Sequence, residues 1–551
     1  MPPEPRPQSV FTPVVAAVVL VAMGGTMALR ALESADSFRP ELNQREPPLA
    51  ATLPALGPEP ARVSRRVALV IIDGLRLRGS YGNSLLDSLR RRGVDAVARS
   101  QYPTYSRPNH VAILTGVPPA WSGVRNNAYG WPVAIDSLMD RANAADLESA
   151  YAADLAFGVG MMFHDDFAAV HYAPWPDGFA RAARLVVGQD YPLVVLLPGA
   201  VDAAGHRRGA EDHLYAEATA QVDRELAAAL APLDLERDTV IITADHGHTR
   251  AGGHGGTEPD VVEVPLIMAG AGIRPGAALA EVELVDIAPT AAALLGLPAP
   301  RHGLGRTLVE ATTLSPMQRA LLTRADNRRL QRNQATLERV REQQAPLMER
   351  RRQGRTAAVI AVALLALALL VAAHRLGVIH IGWRVLAIAV PAFPLTYYAL
   401  IDLLGQRVSL SALPDRADAT GTLFHFGLVS TAVQVVAGWI ALRGRVVLRD
   451  RLAAANALTL CGMLVAWLPA GLMWALFGPR TFLEPPVSAV MVLVPATYIA
   501  VACHALAAAV TLGLEIIVFF ARAVDPRVRL RRLERAAERE RRRLENRGEL
   551  G

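Results

Sequence analysis

The chain has 551 residues, of which 52% are hydrophobic, and its mean hydropathy is +0.24. This length is too great for one ordinary domain, and the apolar content is high for a soluble protein, so we expect several units and membrane segments. The two cysteines, Cys461 and Cys503, lie in apolar runs, and we therefore expect neither a disulfide framework nor a cysteine zinc site. Lysine is absent, and all 57 basic residues are arginine, which excludes lysine Schiff-base chemistry.

The net charge of +6 comes from two arginine-rich segments. Residues 319–355 hold 11 arginines and 4 acids, and residues 522–551 hold 11 arginines and 6 acids. Both segments flank apolar runs. Basic segments beside membrane spans are typical of binding to anionic lipid, so we expect no nucleic-acid partner.

The N-terminal half predicts an anchor, a linker and an α/β domain. An apolar run at 10–27 is long enough to cross a bilayer, which favours a signal anchor over residues 1–30 against a cleaved signal peptide. Residues 31–63 are rich in proline and predict a linker. Residues 64–315 mix buried strands with helical patterns, which indicates a largely parallel central sheet with helices on both faces.

The C-terminal half predicts a membrane domain. Residues 316–355 read as a basic juxtamembrane helix, and 356–521 as a bundle of about five transmembrane helices. The predicted spans are 356–374, 384–404, 422–442, 453–477 and 487–521.

Arginines predict the orientation of these spans. The loop 443–451 and the tail 522–551 are arginine-rich, so both termini are expected in the cytoplasm and residues 30–355 outside it. Four ionisable residues lie within or near the spans, where such groups are rare, although no role is assigned to them: Asp402, His425, His504 and Glu515.

Three buried-strand runs each end at an aspartate, at Asp73, Asp202 and Asp245. The carboxyl ends of parallel strands share one edge of a sheet, so these three carboxylates are expected to converge there. Three histidines follow closely in sequence: His206, His246 and His254. Residues 103–110, ProThrTyrSerArgProAsnHis, add a hydroxyl between the first two runs. Clustered carboxylates, imidazoles and a hydroxyl are typical of a two-metal site for phosphoryl or sulfuryl transfer.

These motifs resemble those of the alkaline phosphatase superfamily over residues 66–305. Within it, the chain is similar to nucleotide pyrophosphatase/phosphodiesterases and to the ethanolamine phosphate transferases of GPI-anchor synthesis. The segments that carry the resemblance are 70–74, 103–116, 202–206, 243–248, 252–256, 265–273 and 285–296. The resemblance implies the alkaline-phosphatase-like sandwich fold.

The resemblance also implies a role for each site residue. One metal ion would be held by Asp73, Asp245, His246 and the oxygen of Ser106. The other would be held by Asp202, His206 and His254. Such ligands suit Zn²⁺, with Mn²⁺ as the alternative.

Ser106 aligns with the nucleophile of the family, and Thr104 is the nearby alternative. Asn127, and less directly Asn109, would donate hydrogen bonds to a phosphoryl oxygen. Three further polar residues are expected to support the site rather than to bind metal: His110, His248 and Glu258. Sulfatases carry a modified cysteine at the nucleophile position, so its absence here argues against sulfatase activity.

Three functions follow from these features. The first is a membrane phosphotransferase that moves phosphoethanolamine from a phospholipid donor to a hydroxyl acceptor through a phospho-seryl enzyme. The second is a membrane-anchored phosphodiesterase or nucleotide pyrophosphatase, and the third is a catalytically silent scaffold. The lysine-free, alanine- and arginine-rich composition favours a bacterial inner membrane as the location, with the catalytic domain in the periplasm.

Overall fold

The computed structural model describes most of the chain. The described residues are 43–154, 158–173, 178–380, 382–404, 416–441, 448–477 and 488–524, with most of 11–26, Ser411 and a few positions of the tail. Part of the predicted linker, most of the arginine-rich loop 443–451 and most of the tail 522–551 lie outside the described residues.

One mixed sheet of eight strands organises the catalytic part, in the order β4-β3-β5-β1-β6-β7-β2-β8. Its strands are β1 Arg66–Ile71, β2 Val94–Arg99, β3 Ser149–Ala153, β4 Ala169–Tyr172, β5 Leu193–Leu197, β6 Asp238–Thr243, β7 Glu263–Gly270 and β8 Val282–Glu283.

Strand β1 is the centre of the sheet. It pairs in parallel with β5 on one side, where Leu69 faces Val195, and with β6 on the other, where Leu69 faces Ile241. All of its residues are buried, as expected of an apolar run covered on both faces.

The predicted largely parallel sheet is confirmed, with one exception. Strand β7 pairs antiparallel with both β6 and β2. The chain reaches β7 from β6 through the loop that carries His254 and the short helix Pro259–Val262, without the crossover that a parallel pair needs.

Helices pack against this sheet in two groups. The α-helices of the catalytic part are α1 Ser84–Arg92, α2 Ser106–Thr115, α3 Pro119–Ser122, α4 Leu138–Asn143, α5 Val159–Met162, α6 Gly178–Val187, α7 Ala200–Arg208, α8 His213–Leu230, α9 Pro259–Val262 and α10 Ile287–Leu294. Helix α8 contacts α1, α6 and α7, whereas α2, α4 and α10 contact one another. The prediction of an α/β fold is confirmed.

A single helix, α11 Pro316–Arg375, runs for 60 residues from the catalytic part into the apolar region. The predicted juxtamembrane helix and first span are therefore one continuous helix. Its N-terminal part docks on the catalytic part through a stripe of buried residues at helical spacing: Leu322, Asp326, Arg329, Asn333 and Leu337.

The C-terminal region is helical, with α12 Val390–Leu403, α13 Arg416–Ala441, α14 Leu448–Phe477 and α15 Ser488–Val524. Three helices of the described chain, within α11, α14 and α15, are long and apolar enough to cross a membrane. The other predicted spans coincide with shorter apolar helices at Ala387–Leu403 and Thr422–Gly438, and the predicted anchor with one at Pro13–Thr26. The chain is thus a membrane protein with a helical C-terminal region.

Shortening a side chain in the central strand tests the packing of the catalytic part. Leu69→Ala should lower the free energy of unfolding by about 2–5 kcal/mol, because Leu69 is fully buried and the change leaves a cavity. Urea unfolding in detergent, followed by tryptophan fluorescence, measures the loss. Leu185→Ala in α6 is the matched control, since that side chain is 46% exposed, and should change stability by less than about 0.5 kcal/mol. Equal losses in the two variants would contradict the assignment of β1 to the core.

Candidate functional site

The three aspartates meet at one edge of the sheet. Asp73 follows β1, Asp202 lies in the first turn of α7 just after β5, and Asp245 follows β6. Because β5, β1 and β6 are adjacent and parallel, their carboxyl ends deliver all three carboxylates to the same crevice.

The first cluster of ligands surrounds His246. Its Nε2 lies 3.2 Å from Ser106 Oγ, 3.3 Å from Asp245 Oδ2 and 3.5 Å from Asp73 Oδ1. Its Nδ1 lies 3.1 Å from the Gly247 carbonyl oxygen and must donate to it, so Nε2 carries the lone pair that faces the cluster. Ligand atoms around tetrahedral zinc are about 3.3 Å apart, and these spacings match that value.

The second cluster surrounds Asp202. Its Oδ1 lies 3.4 Å from His206 Nε2 and 3.7 Å from His254 Nε2, and these two nitrogens are 3.1 Å apart. His254 Nδ1 lies 2.8 Å from the Thr104 carbonyl oxygen and donates to it, which turns the lone pair of Nε2 towards the cluster. The His206 side chain is 34% exposed, so this cluster is the side of the site that faces solvent.

Both clusters fit divalent cations. In the described chain, Asp73 Oδ1 and Asp245 Oδ2 are buried without a hydrogen-bond partner. Burial, reinforced by the charges of Asp245 and Asp202, raises the pKa of Asp73 well above its usual range. A carboxylate in such surroundings is ionised only if a cation offsets the repulsion.

The histidines are in the form that binds metal. Burial lowers the pKa of both His246 and His254, which keeps their imidazoles neutral at neutral pH. The two rings stack with their centroids 3.7 Å apart, so the two clusters are in direct contact through them.

The contacts of Ser106 and Thr104 show which of these two candidates can act as the nucleophile. Ser106 is the first residue of α2, and its hydroxyl faces the first cluster. Thr104 is fully buried, and its hydroxyl donates to the Gly256 carbonyl at 2.9 Å and accepts from the Gly255 N–H at 2.8 Å. Thr104 therefore holds the loop of His254, and its hydroxyl is not turned to the crevice.

The two asparagines also differ. Asn109 is fully buried and ties the loop before α2 together, since its side chain accepts from the Gln101 N–H and donates to the Gln101, Pro103 and Tyr105 carbonyls. Asn127 is exposed, and its Oδ1 accepts from the Arg107 N–H at 3.0 Å, beside Ser106. Of the two, only Asn127 has a side-chain amide N–H₂ that is free, within the described chain, to donate to a substrate oxygen.

His110 lies closer to the metal ligands than the sequence indicates. It opens an apolar run, but its Nε2 is 3.3 Å from Asp245 Oδ2 and 3.9 Å from Asp73 Oδ2, and it is 2% exposed. Its position four residues after Ser106 on α2 puts both side chains on one helix face, a signal that the local apolar pattern concealed.

His248 contacts the second cluster directly. Its Nε2 is 2.8 Å from Asp202 Oδ1, and its Nδ1 accepts from the Gly253 N–H at 3.0 Å. An Nδ1 that accepts leaves the proton of a neutral ring on Nε2, so His248 donates to Asp202 rather than offering a lone pair to a metal. Burial acts to raise the pKa of Asp202, but this hydrogen bond and the neighbouring imidazoles of His248, His254 and His206 together hold that pKa below its usual range. Glu258, the third residue expected to support the site, lies at the end of the loop that carries His254, directly before α9.

Two family models match the catalytic part of the chain. The model described as type I phosphodiesterase / nucleotide pyrophosphatase matches residues 67–133, and the metalloenzyme superfamily model matches residues 176–299. These matches confirm the resemblance to the enzymes of the alkaline phosphatase superfamily.

Curated relatives match the same part. Human GPI ethanolamine phosphate transferase 2, catalytic subunit, is 26% identical over 288 residues, which cover 48% of this chain and 29% of the relative. Mouse GPI ethanolamine phosphate transferase 1 is 27% identical over 310 residues, which cover 45% of this chain and 32% of the relative. The chain thus spans about a third of the length of these relatives. Among solved structures, murine ectonucleotide pyrophosphatase / phosphodiesterase 5 is similar with a TM-score of 0.38 and 16% identity, covering 42% of this chain and 96% of that one.

Changing His248 tests whether it orients Asp202. His248→Ala should weaken metal binding at the second cluster by about 10- to 100-fold, the usual cost of losing a residue that orients a ligand. His248→Gln keeps an N–H donor and should lose less. Metal content after dialysis against chelators of graded strength measures the change. If His248→Ala retains metal as the unchanged protein does, the hydrogen bond from His248 to Asp202 has no role in metal binding.

Proposed function

We propose that the chain is a membrane-bound, metal-dependent phosphotransferase that moves phosphoethanolamine from a phospholipid to a hydroxyl acceptor. The observation that carries this proposal is the position of the Ser106 hydroxyl at the start of a helix, 3.2 Å from His246 Nε2, the nitrogen that also contacts the carboxylates of Asp73 and Asp245. Similarity to GPI ethanolamine phosphate transferases supports this choice of reaction.

The membrane part supports a lipid donor. Ser411, which follows α12, is fully buried, and its Oγ accepts from the Gly256 N–H at 2.7 Å. Gly256 lies two residues after His254, so a residue between the apolar helices α12 and α13 contacts the loop that carries a proposed metal ligand. This contact supports an approach of the phospholipid donor to the crevice from the side of α12 and α13.

We assign the residues of the site to two metal ions. One metal ion would be held by Asp73, Asp245, His246 and Ser106, and the other by Asp202, His206 and His254. Zn²⁺ is proposed, with Mn²⁺ as the alternative, and when bound these ions would make the Ser106 hydroxyl more acidic and offset the charge of the phosphoryl group.

The reaction proceeds in two displacements. Ser106 Oγ loses its proton and forms a bond to phosphorus while the bond from phosphorus to the glycerol oxygen breaks, and the diacylglycerol leaves after taking up a proton. An acceptor hydroxyl then loses its proton and bonds to phosphorus while the bond from phosphorus to Ser106 Oγ breaks, and Ser106 takes up a proton to restore the hydroxyl. The Asn127 side-chain N–H₂ would donate to the phosphoryl oxygens, and the N-terminal end of α2 would add the positive end of the helix dipole.

Orientation and partners follow from this proposal. The catalytic domain would lie in the periplasm of a bacterial cell with both termini in the cytoplasm, and the arginine-rich flanks would bind anionic lipid.

A phosphodiesterase or nucleotide pyrophosphatase is the second candidate function. The match of residues 67–133 to the type I phosphodiesterase model favours it, since this segment includes Asp73, Ser106 and Asn127. The ligand set is common to both reactions, and they differ in whether an alcohol or water accepts the phosphoryl group.

The covalent intermediate distinguishes these functions. The zinc-loaded chain in detergent, incubated with phosphatidylethanolamine, should yield a phosphoethanolamine adduct on the peptide containing Ser106 and release diacylglycerol. Mass spectrometry of the digested protein detects the adduct. Rapid hydrolysis of a nitrophenyl phosphodiester without any reaction of the lipid would instead favour the phosphodiesterase.

Removing the Ser106 hydroxyl tests the nucleophile. Ser106→Ala should reduce turnover by about 10³-fold or more and leave most of the metal bound, because it removes one ligand of one ion. Ser84→Ala, at an exposed serine that also begins a helix, is the matched control and should keep full activity. Normal turnover in Ser106→Ala would refute the assignment and direct attention to Thr104.

A further inference from the structure

An open pocket lies away from the metal clusters, where α11 docks on the catalytic part. It is a small recess that is partly open to solvent. Its wall comes from three separate parts of the chain: the linker around Ala55 and Gly57, the loop that holds Arg301, and the α11 residues Asp326, Arg329 and Arg332.

The pocket carries an excess of positive charge. Three arginines line it against a single carboxylate, that of Asp326. This carboxylate is already engaged, since its Oδ1 lies 2.9 Å from Arg329 and its Oδ2 accepts from the Thr307 N–H at 2.7 Å. The nearby Asp286 is outside the wall, and its oxygens accept backbone N–H groups of Glu283 and Arg306.

Some N–H groups of these guanidinium groups have no hydrogen-bond acceptor in the described part of the chain. Within the described part of the chain, Nε of Arg301 and Nε of Arg329 are buried and lack an acceptor. Arg329 is 8% exposed, and its other contacts are the Gly305 carbonyl and Asp326. Arg332 reaches only a marginal contact with the Ala55 carbonyl, at 3.5 Å. Buried N–H donors without acceptors are costly, and an oxyanion in the pocket would engage the side chains that carry them.

We propose that this pocket binds a phosphate dianion, either inorganic phosphate or the phosphate group of a phosphomonoester. Two net positive charges match the charge of the dianion, and the planar guanidinium fork suits phosphate oxygens. The bound group would bridge the linker, the Arg301 loop and α11, and so would strengthen the docking of α11 on the catalytic part.

The ligand reaches the pocket from the aqueous phase. From Arg329 to the first apolar residues after Arg355, α11 continues for about 40 Å along its axis. A headgroup in the bilayer surface lies at the far end of that distance. The proposed ligand is therefore a soluble one, and it is distinct from the phospholipid donor of the proposed reaction.

Calorimetric titration of the full chain in detergent tests the site. The protein is first stripped with a chelator, so that phosphate cannot bind through metal, and then titrated with inorganic phosphate and with glucose 6-phosphate. Arg301→Gln combined with Arg332→Gln should weaken binding at least tenfold. The matched control combines Arg324→Gln and Arg328→Gln, two exposed arginines of α11 outside the pocket wall, and should bind as the unchanged chain does.

The outcomes separate the sources of the ligand. Binding of inorganic phosphate alone identifies the free anion, whereas binding of glucose 6-phosphate identifies a phosphomonoester. Thermal unfolding gives a second readout, because either ligand should raise the midpoint of the chelated chain but not that of the double variant. Absence of binding after chelation, or equal binding in the two double variants, would overturn the proposal.

Discussion

Repulsion between buried carboxylates is the constraint on which the rest of this structure depends. Adjacent parallel strands bring Asp73, Asp202 and Asp245 to one edge of the sheet, where burial alone would favour their neutral forms. The imidazoles of His246 and His254 are neutral and do not offset this repulsion by positive charge. Their contribution is their orientation. Carbonyl acceptors hold the Nδ1–H groups of His246 and His254, so both rings offer lone pairs to the crevice. The whole edge is thus prepared for cations, and the hydroxyl of Ser106 lies where those cations would act on it.

Much of this arrangement could be predicted from the sequence, because it depends on local patterns. Apolar runs that end at an aspartate give both the strands and the positions of the carboxylates, and the parallel order follows from the helices between them. The structure brings the predicted ligands together in two groups, although their binding of metal stays a prediction. The antiparallel strand β7 could not be predicted in this way, since its direction depends on how the chain turns after His254.

The contact of His248 with Asp202 depends on tertiary packing that its position in the sequence does not reveal. His248 faces Asp202 only because two glycines leave room for its ring: a side chain at Gly74 would lie 3.0 Å from its Nε2, and one at Gly205 would lie 2.6 Å from it. Thr104 illustrates the reverse case. Its hydroxyl is chemically suited to attack, but the Gly255 and Gly256 backbone engages it fully. Sequence patterns identify which groups are present, and the fold decides which of them remain available.

The continuous helix α11 also makes the catalytic part sensitive to the bilayer itself. Spanning helices adapt to membrane thickness by tilting. Helix α11 joins a span to the docked stripe, so a tilt of the span moves the stripe, less any bend taken up at Pro346, the proline inside this helix. In a straight helix, a tilt of about 10° would move the docked end by about 7 Å over the roughly 40 Å between Arg329 and the apolar segment. Membrane thickness would then set how far the crevice stands from the lipid surface, and with it how easily a lipid headgroup can enter.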